Sequence, residues 1–218
     1  MLRDAPPGGH PLANAVCRGL ATASAVTFAG GRIDALVRSE GAVLSTRQPE
    51  ATLFGVGPVR RLLRTPLLEL LHVVFAPTTP RPALLALVRI QSLSAEPLAL
   101  EYTETWDVPA GEYRVAHAAC ERRFGGHVLA LAEASAATRA KAPETAPTRG
   151  LALDVTLAVP SRARRHLAWA YVAVAEEDDA GELVRAWRGE VADELRRAGR
   201  AVGSVEAYRD LGRYPPPR

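Results

Sequence analysis

Two glycine pairs, Gly30-Gly31 and Gly125-Gly126, each separate two runs of alternating apolar residues by only two positions. Two-residue connections of this kind need positive φ, which glycine adopts without steric cost, so each pair predicts a tight hairpin between antiparallel strands. The same alternation recurs along most of the chain, between turn signals. It predicts strands over 25–29, 32–37, 42–46, 67–75, 84–92, 98–108, 113–124, 127–133, 151–159 and 167–174. Short consecutive strands joined by turns define an antiparallel β-sandwich.

Two segments break the meander. Residues 134–150 are rich in Ala, Thr and Pro without apolar periodicity and read as a long surface loop. After the last strand the period changes: Val184, Trp187, Val191, Leu195 and Ala198 recur at three and four residues, one apolar helical stripe. Asp179 with Glu182 fits a capping box, and Gly199 is placed to stop the helix. The expected organisation is an N-terminal extension (1–20), a sandwich (21–178), and a linker-type helix with the proline-rich tail "YPPPR" (179–218).

With 218 residues and 48% hydrophobic content the chain can bury a sizeable core. The formal net charge is +3, and all basic residues except Lys141 are arginine. No basic run is interleaved with aromatics, which argues against nucleic acid as a partner. The longest apolar run, "LLELLHVVFA", is broken by Glu69 and His72 and is shorter than the ~20 residues of a membrane span, so no membrane association is expected. The N-terminus lacks the basic start and apolar core of a secretory peptide, and Cys17 and Cys120 are too few for a disulfide framework. Both features point to a cytoplasmic setting.

Candidate chemistry is sparse. "HAAC" has the composition of a metal site, but on one strand His117 and Cys120 would point to opposite faces. No GxSxG elbow is present, and Ser161 lies in an arginine-rich turn, "SRARRH". "GVGPVR" lacks the strand-turn-helix context of a dinucleotide site. No cofactor or metal is expected. One stretch stands out: Leu98, Leu100, Tyr102, Glu104, Trp106 and Val108 share a strand face, while Glu101 and Asp107 take the other. A carboxylate between two rings could hold a sugar, with the ring on an apolar sugar face and the acid on hydroxyls. In an ordinary sandwich the same residues fill the space between the sheets. Tyr102, Glu104 and Trp106 are therefore the candidate carbohydrate-binding residues.

The order of these segments carries a resemblance. A strand ending "VVFAP", a Pro-rich link, "ALLALVRIQSLSAEPLALEYTETWDV", and a closing "LAWAYVAVAEEDDAGELVRAW" follow one another, with Arg89, Leu93, Ser94, Pro97, Leu100 and Glu104 at recurrent spacings. This resembles the N-terminal β-supersandwich domain of inverting disaccharide phosphorylases and cyclic β-glucan synthase-type enzymes, a galactose mutarotase-like fold. The resemblance implies a non-catalytic accessory domain of a carbohydrate-active enzyme. Its expected partners are a helical-barrel catalytic domain and a weakly bound glycan. The family's general acid lies in that barrel, so no catalytic residue is carried onto this chain. Two alternatives come from other classes. One is a mutarotase- or epimerase-like sugar enzyme drawing a His acid and a Glu base from His72, His117 and Glu104. The other is a ligand-free protein-interaction module.

Overall fold

The computed structural model describes residues 33–39, 42–47, 49–53, 59–79, 81, 83–116, 119–135 and 139–201. The predicted strand 25–29, the Gly30-Gly31 hairpin, His10, Cys17, His117 and the proline-rich tail lie outside them.

The described residues form an antiparallel two-sheet β-sandwich with two short C-terminal helices. The smaller sheet has the order β11-β7-β1-β2, built from β1 (Ile33–Ser39), β2 (Ala42–Ser45), β7 (Leu98–Trp106) and β11 (Leu151–Val159). The larger sheet has the order β3-β4-β5-β6-β12-β10-β9-β8. Its strands are β3 (Ala51–Leu53), β4 (Val59–Arg64), β5 (Leu68–Phe75), β6 (Ala83–Ser92), β8 (Glu112–Ala116), β9 (Ala119–Phe124), β10 (His127–Glu133) and β12 (Arg164–Ala175). Every named pairing is antiparallel.

Alternation sorts the side chains of the larger sheet into two cores. One set, including Leu70, Val74, Val88, Ile90, Leu129, Leu131, Trp169 and Tyr171, meets Leu98, Leu100, Tyr102 and Trp106 of the smaller sheet. The alternate set, including Leu71, Val73, Phe75, Leu85, Val172 and Val174, is covered by the helices α1 (Ala180–Ala186) and α2 (Val191–Ala201). The molecule is thus three layers: smaller sheet, larger sheet, helices.

The Gly125-Gly126 hairpin is present, with φ of 57° and 76° and Phe124 opposite His127. Several expectations are corrected. The single strand predicted over 113–124 is two strands, β8 and β9, paired antiparallel, so the expected placing of His117 and Cys120 on opposite faces of one strand falls away. Residues 59–64, absent from the predicted strands, form β4; the buried Arg61 interrupted the apolar alternation there. The helical stripe is carried by two helices, because Gly189 at φ 80° reverses the chain between Trp187 and Val191. All five stripe residues are nonetheless buried against the sheet. The helix also runs through Gly199 to Ala201 and does not stop at the glycine. Asp179 caps α1 as expected, accepting the Glu182 N–H at 3.0 Å.

The loop before β11 is more fixed than its composition suggests. Lys141 and Asp154 exchange two backbone hydrogen bonds of 2.8 Å, and Ala134 is fully buried.

Candidate functional site

Tyr102, Glu104 and Trp106 do share one face of β7, and it is the interior face. Their exposures are 0%, 0% and 1%. Its lateral neighbours on the smaller sheet, Ala35 and Leu153, offer Glu104 no polar side-chain partner. Its partners come from its own strand and the opposite sheet. The Tyr102 and Tyr171 hydroxyls donate to its two oxygens, and His72 Nε2 lies 3.0 Å from Oε1. Tyr102 stacks on Trp169 at 5.7 Å between centroids, and Trp106 meets Tyr171 edge-on at 5.8 Å. Burial, and next the Glu104 charge, hold both phenols well above their ordinary pKa, so they remain donors across the working pH range.

Beside this cluster, Arg61 pairs across the strands with His72 and is itself buried, donating to the Ile33 carbonyl at 2.8 Å and to Asp34 at 3.4 Å. The structure therefore brings together two of the three residues proposed for acid–base chemistry, His72 and Glu104, but inside the sandwich, where no sugar atom can reach either. Stacking on a sugar likewise needs an open ring face, and Trp106 has none. The geometry makes Tyr102, Glu104 and Trp106 part of the polar and aromatic filling between the sheets.

An accessible concave surface lies at the end of β7, where Trp106 leads into Asp107. This open cleft of about 540 Å³ is lined by Asp34, Arg47, Thr105, Asp107, Arg149 and Ala152, among others. Arg47 Nε donates to Asp34 at 3.1 Å. Arg149 grips Asp107 through Nε at 2.8 Å and Nη2 at 3.4 Å, with both side chains well exposed. The wall that carries Arg149 is pinned from below. Gly150, at φ 78°, passes so close to β7 that a Cβ would lie 3.1 Å from the Trp106 carbonyl. Buried Arg122 donates to the carbonyls of Gly150 at 2.8 Å, Gly111 at 2.7 Å and Pro147, with its guanidinium over the Tyr113 ring. Nothing in "CERRF" distinguishes Arg122 from its neighbours; only the fold shows its three carbonyl partners.

Replacing Arg122 by Ala should free this wall. Hydrogen bonds to a charged donor contribute about 1.5–3 kcal/mol each, so loss of even one is about tenfold or more in local opening. Trypsin should then cut after Arg139, Lys141 or Arg149 at least tenfold faster than in the parent protein. An unchanged cleavage rate would mean the clamp does not hold the wall.

A second, smaller cleft of about 250 Å³ lies over the start of α1. Its charges largely satisfy one another, as in Arg123 with Glu176 at 2.9 Å and Arg185 with Asp179 at 3.5 Å. Among the described residues no group of three or more His, Cys, Asp or Glu is placed to hold a metal. Cys120 is buried, its thiol pushed up to about 12 by burial. No helix among the described residues is long and apolar enough to cross a membrane.

The described residues define a two-sheet antiparallel β-sandwich with a sealed polar cluster between the sheets and an open polar cleft at the end of β7. No protein-family model matches the chain, and no curated protein does. Among solved structures, it is similar to a protein described as a kojibiose phosphorylase from the human microbiome, at 7% identity and a TM-score of 0.45, covering 80% of this chain and 25% of that one. It is similar also to a polysaccharide lyase, at 14% identity and a TM-score of 0.46, covering 74% of this chain and 27% of that one. The chain thus spans about a quarter of the length of each.

Proposed function

We propose that the chain is a non-catalytic accessory β-sandwich domain of a carbohydrate-active enzyme, touching glycan at the cleft at the end of β7 and packing against a helical-barrel catalytic partner. The sequence resemblance supports the family role. The observation that carries the location is the contrast between the two polar sites. The His–carboxylate pair is sealed at 0% exposure, whereas the cleft presents the Arg47 and Arg149 guanidinium groups and the Asp107 carboxylate to solvent, with Asp34 buried beneath Arg47.

Neighbouring sugar hydroxyls are each donor and acceptor, so a paired Asp and Arg can accept a hydrogen bond from one and donate a hydrogen bond to the other. With two charges of each sign the cleft is neutral overall, which suits an uncharged sugar. Because an open, half-solvated site gains little from each contact, affinity should be millimolar, about −4 kcal/mol.

Titration of neutral oligosaccharides, followed by heteronuclear NMR, should shift the amides of Thr105, Asp107 and Arg149. Arg149→Ala and Asp107→Ala, both at exposed positions, should weaken binding about tenfold, near 1.4 kcal/mol, without changing the melt. If no glycan shifts these amides, or if binding survives both substitutions, the cleft is not the sugar site. A mutarotation assay on glucose or galactose tests the enzymatic alternative. Turnover above the spontaneous rate, lost in His72→Gln, would overturn the non-catalytic reading.

A further inference from the structure

The arginine-rich turn "SRARRH" plays no part in the cleft. It sits at the far side of the larger sheet, on the outer face just beyond the apolar ground covered by the helices. The register there sets four strands side by side. Arg64 of β4, Glu69 of β5, Gln91 of β6 and Arg164 of β12 form one row. The next row along the same face is Leu62, Leu71, Arg89 and His166. Strands are spaced by about 4.8 Å and same-face residues on one strand by about 6.8 Å, so Arg89, Arg164 and His166 surround one small area.

Charge in this area is unbalanced. Glu69 is the single carboxylate of the two rows, and it is shared by Arg64 at 2.6 Å and Arg89 at 2.9 Å. Arg164 has no carboxylate partner among the described residues; its Nε donates to Gln91 Oε1, which leaves both terminal nitrogens unused. Arg89 spends Nη2 on Glu69, and its Nε has no partner.

The surface is also held in place before any ligand arrives. Gln91 fixes Arg164 through Oε1 while its amide nitrogen donates to the carbonyls of Ser92 and Arg162, both at 3.0 Å. The turn beneath is clamped as well. Arg162 adopts a left-handed φ of 55°, its N–H donates to the Ser94 carbonyl at 3.3 Å, and Ser161 Oγ donates to the same carbonyl at 3.3 Å. A guanidinium that is already oriented loses less side-chain freedom on binding than a free one.

We infer that Arg89, Arg164 and His166 form a second binding surface, for the oxyanion groups (carboxylate or sulfate) of an acidic glycan chain. It goes beyond the cleft and is independent of it, since no residue is shared. Arginine pairs with such planar or tetrahedral oxyanions through two parallel N–H bonds, and Arg164 has the required two free. An acidic glycan fits better than a single-stranded nucleic acid, because the two rows offer no ring except the His166 imidazole on which bases could stack. His166 reports on the area. Burial, then the positive charges of Arg89 and Arg164, hold its pKa below the ordinary value, so an anion seated among them should raise it.

The test titrates the full chain with a hexamer of glucuronate units, a neutral hexamer of the same length, inorganic sulfate, and a single-stranded RNA hexamer. Binding is read by calorimetry and by the His166 ring signals. The acidic hexamer is expected to bind, to raise the His166 pKa, and to weaken as salt rises. Arg164→Gln should weaken it at least fivefold and abolish the His166 response, with the melt unchanged, whereas Arg149→Ala in the cleft should leave it intact. The inference fails if the acidic hexamer does not bind or if its binding survives Arg164→Gln. It fails also if sulfate alone or the RNA binds as tightly, which would mark a general anion surface. Loss of neutral-sugar binding alone counts against the cleft, not against this surface.

Discussion

Glu104→Ala should lower the melting temperature by roughly 6–20 °C. Removing one member of a buried ionic cluster costs about 3–5 kcal/mol, and in a domain of this size each kcal/mol moves the melt by about 2–4 °C. The structural reason is specific. The Tyr102 and Tyr171 hydroxyls and His72 Nε2 all converge on this one carboxylate. All are completely buried, so the alanine variant leaves three polar groups with neither partner nor water. His72 Nδ1 already lacks a partner, which makes the cluster intolerant of further loss. Glu104→Gln, which keeps one carbonyl acceptor, should fall between the two. A combined change of Glu104 to Leu, His72 to Leu and both tyrosines to Phe should recover much of the loss, since apolar replacement of a whole buried polar cluster is often close to neutral. Thermal melts of the three variants decide the matter. A fall below about 1 kcal/mol for Glu104→Ala would show that water reaches the cluster, and would revive it as a catalytic site.

The limits of the sequence reading are visible in these same residues. Alternation along β7 identified which side chains share a face, because a strand admits only two faces. It did not say which face is inside. From sequence, Tyr102, Glu104 and Trp106 read more readily as core than as a sugar platform, but the contacts that decide it, His72 and Tyr171, lie 32 and 67 residues away and on the other sheet. Buried charge hid β4 in the same way. Arg61 points inward only because the Ile33 carbonyl and Asp34 receive it, and neither is near it in sequence. The sequence between β8 and β9 holds no Gly or Pro, so the two strands read as one, whereas Gly125-Gly126 announced the next hairpin correctly. The cleft was illegible because its wall depends on Arg122 holding three carbonyls at once, a relation that exists only after β8, β9 and the loop before β11 have come together.

Trp187→Ala is expected to have an effect of similar size, about 3–5 kcal/mol, for a reason confined to the helical layer. Trp187 caps α1, is fully buried, and belongs to the cluster that joins α1 and α2 to the outer face of the larger sheet. Arg81 lies over its ring at 5.3 Å, but that contact is partly solvated and should add less than about 1 kcal/mol. The helices have other anchors. Glu194 accepts from the Thr78 hydroxyl at 2.5 Å and from Arg197, and the Gly189 N–H reaches the Ala134 carbonyl at 2.8 Å. The cavity left by the indole should therefore destabilise the layer without detaching it, and Trp187→Phe should recover about half. Thermal unfolding followed together with amide exchange in α2 separates two outcomes. A single melt shifted down by roughly 6–20 °C would place the helices in one cooperative unit with the sandwich, so that the proposed catalytic partner would have to dock on another face. An unchanged melt with fast exchange in α2 would mean that the helices lift independently, leaving Leu71, Val73, Phe75 and Leu85 open as the docking ground.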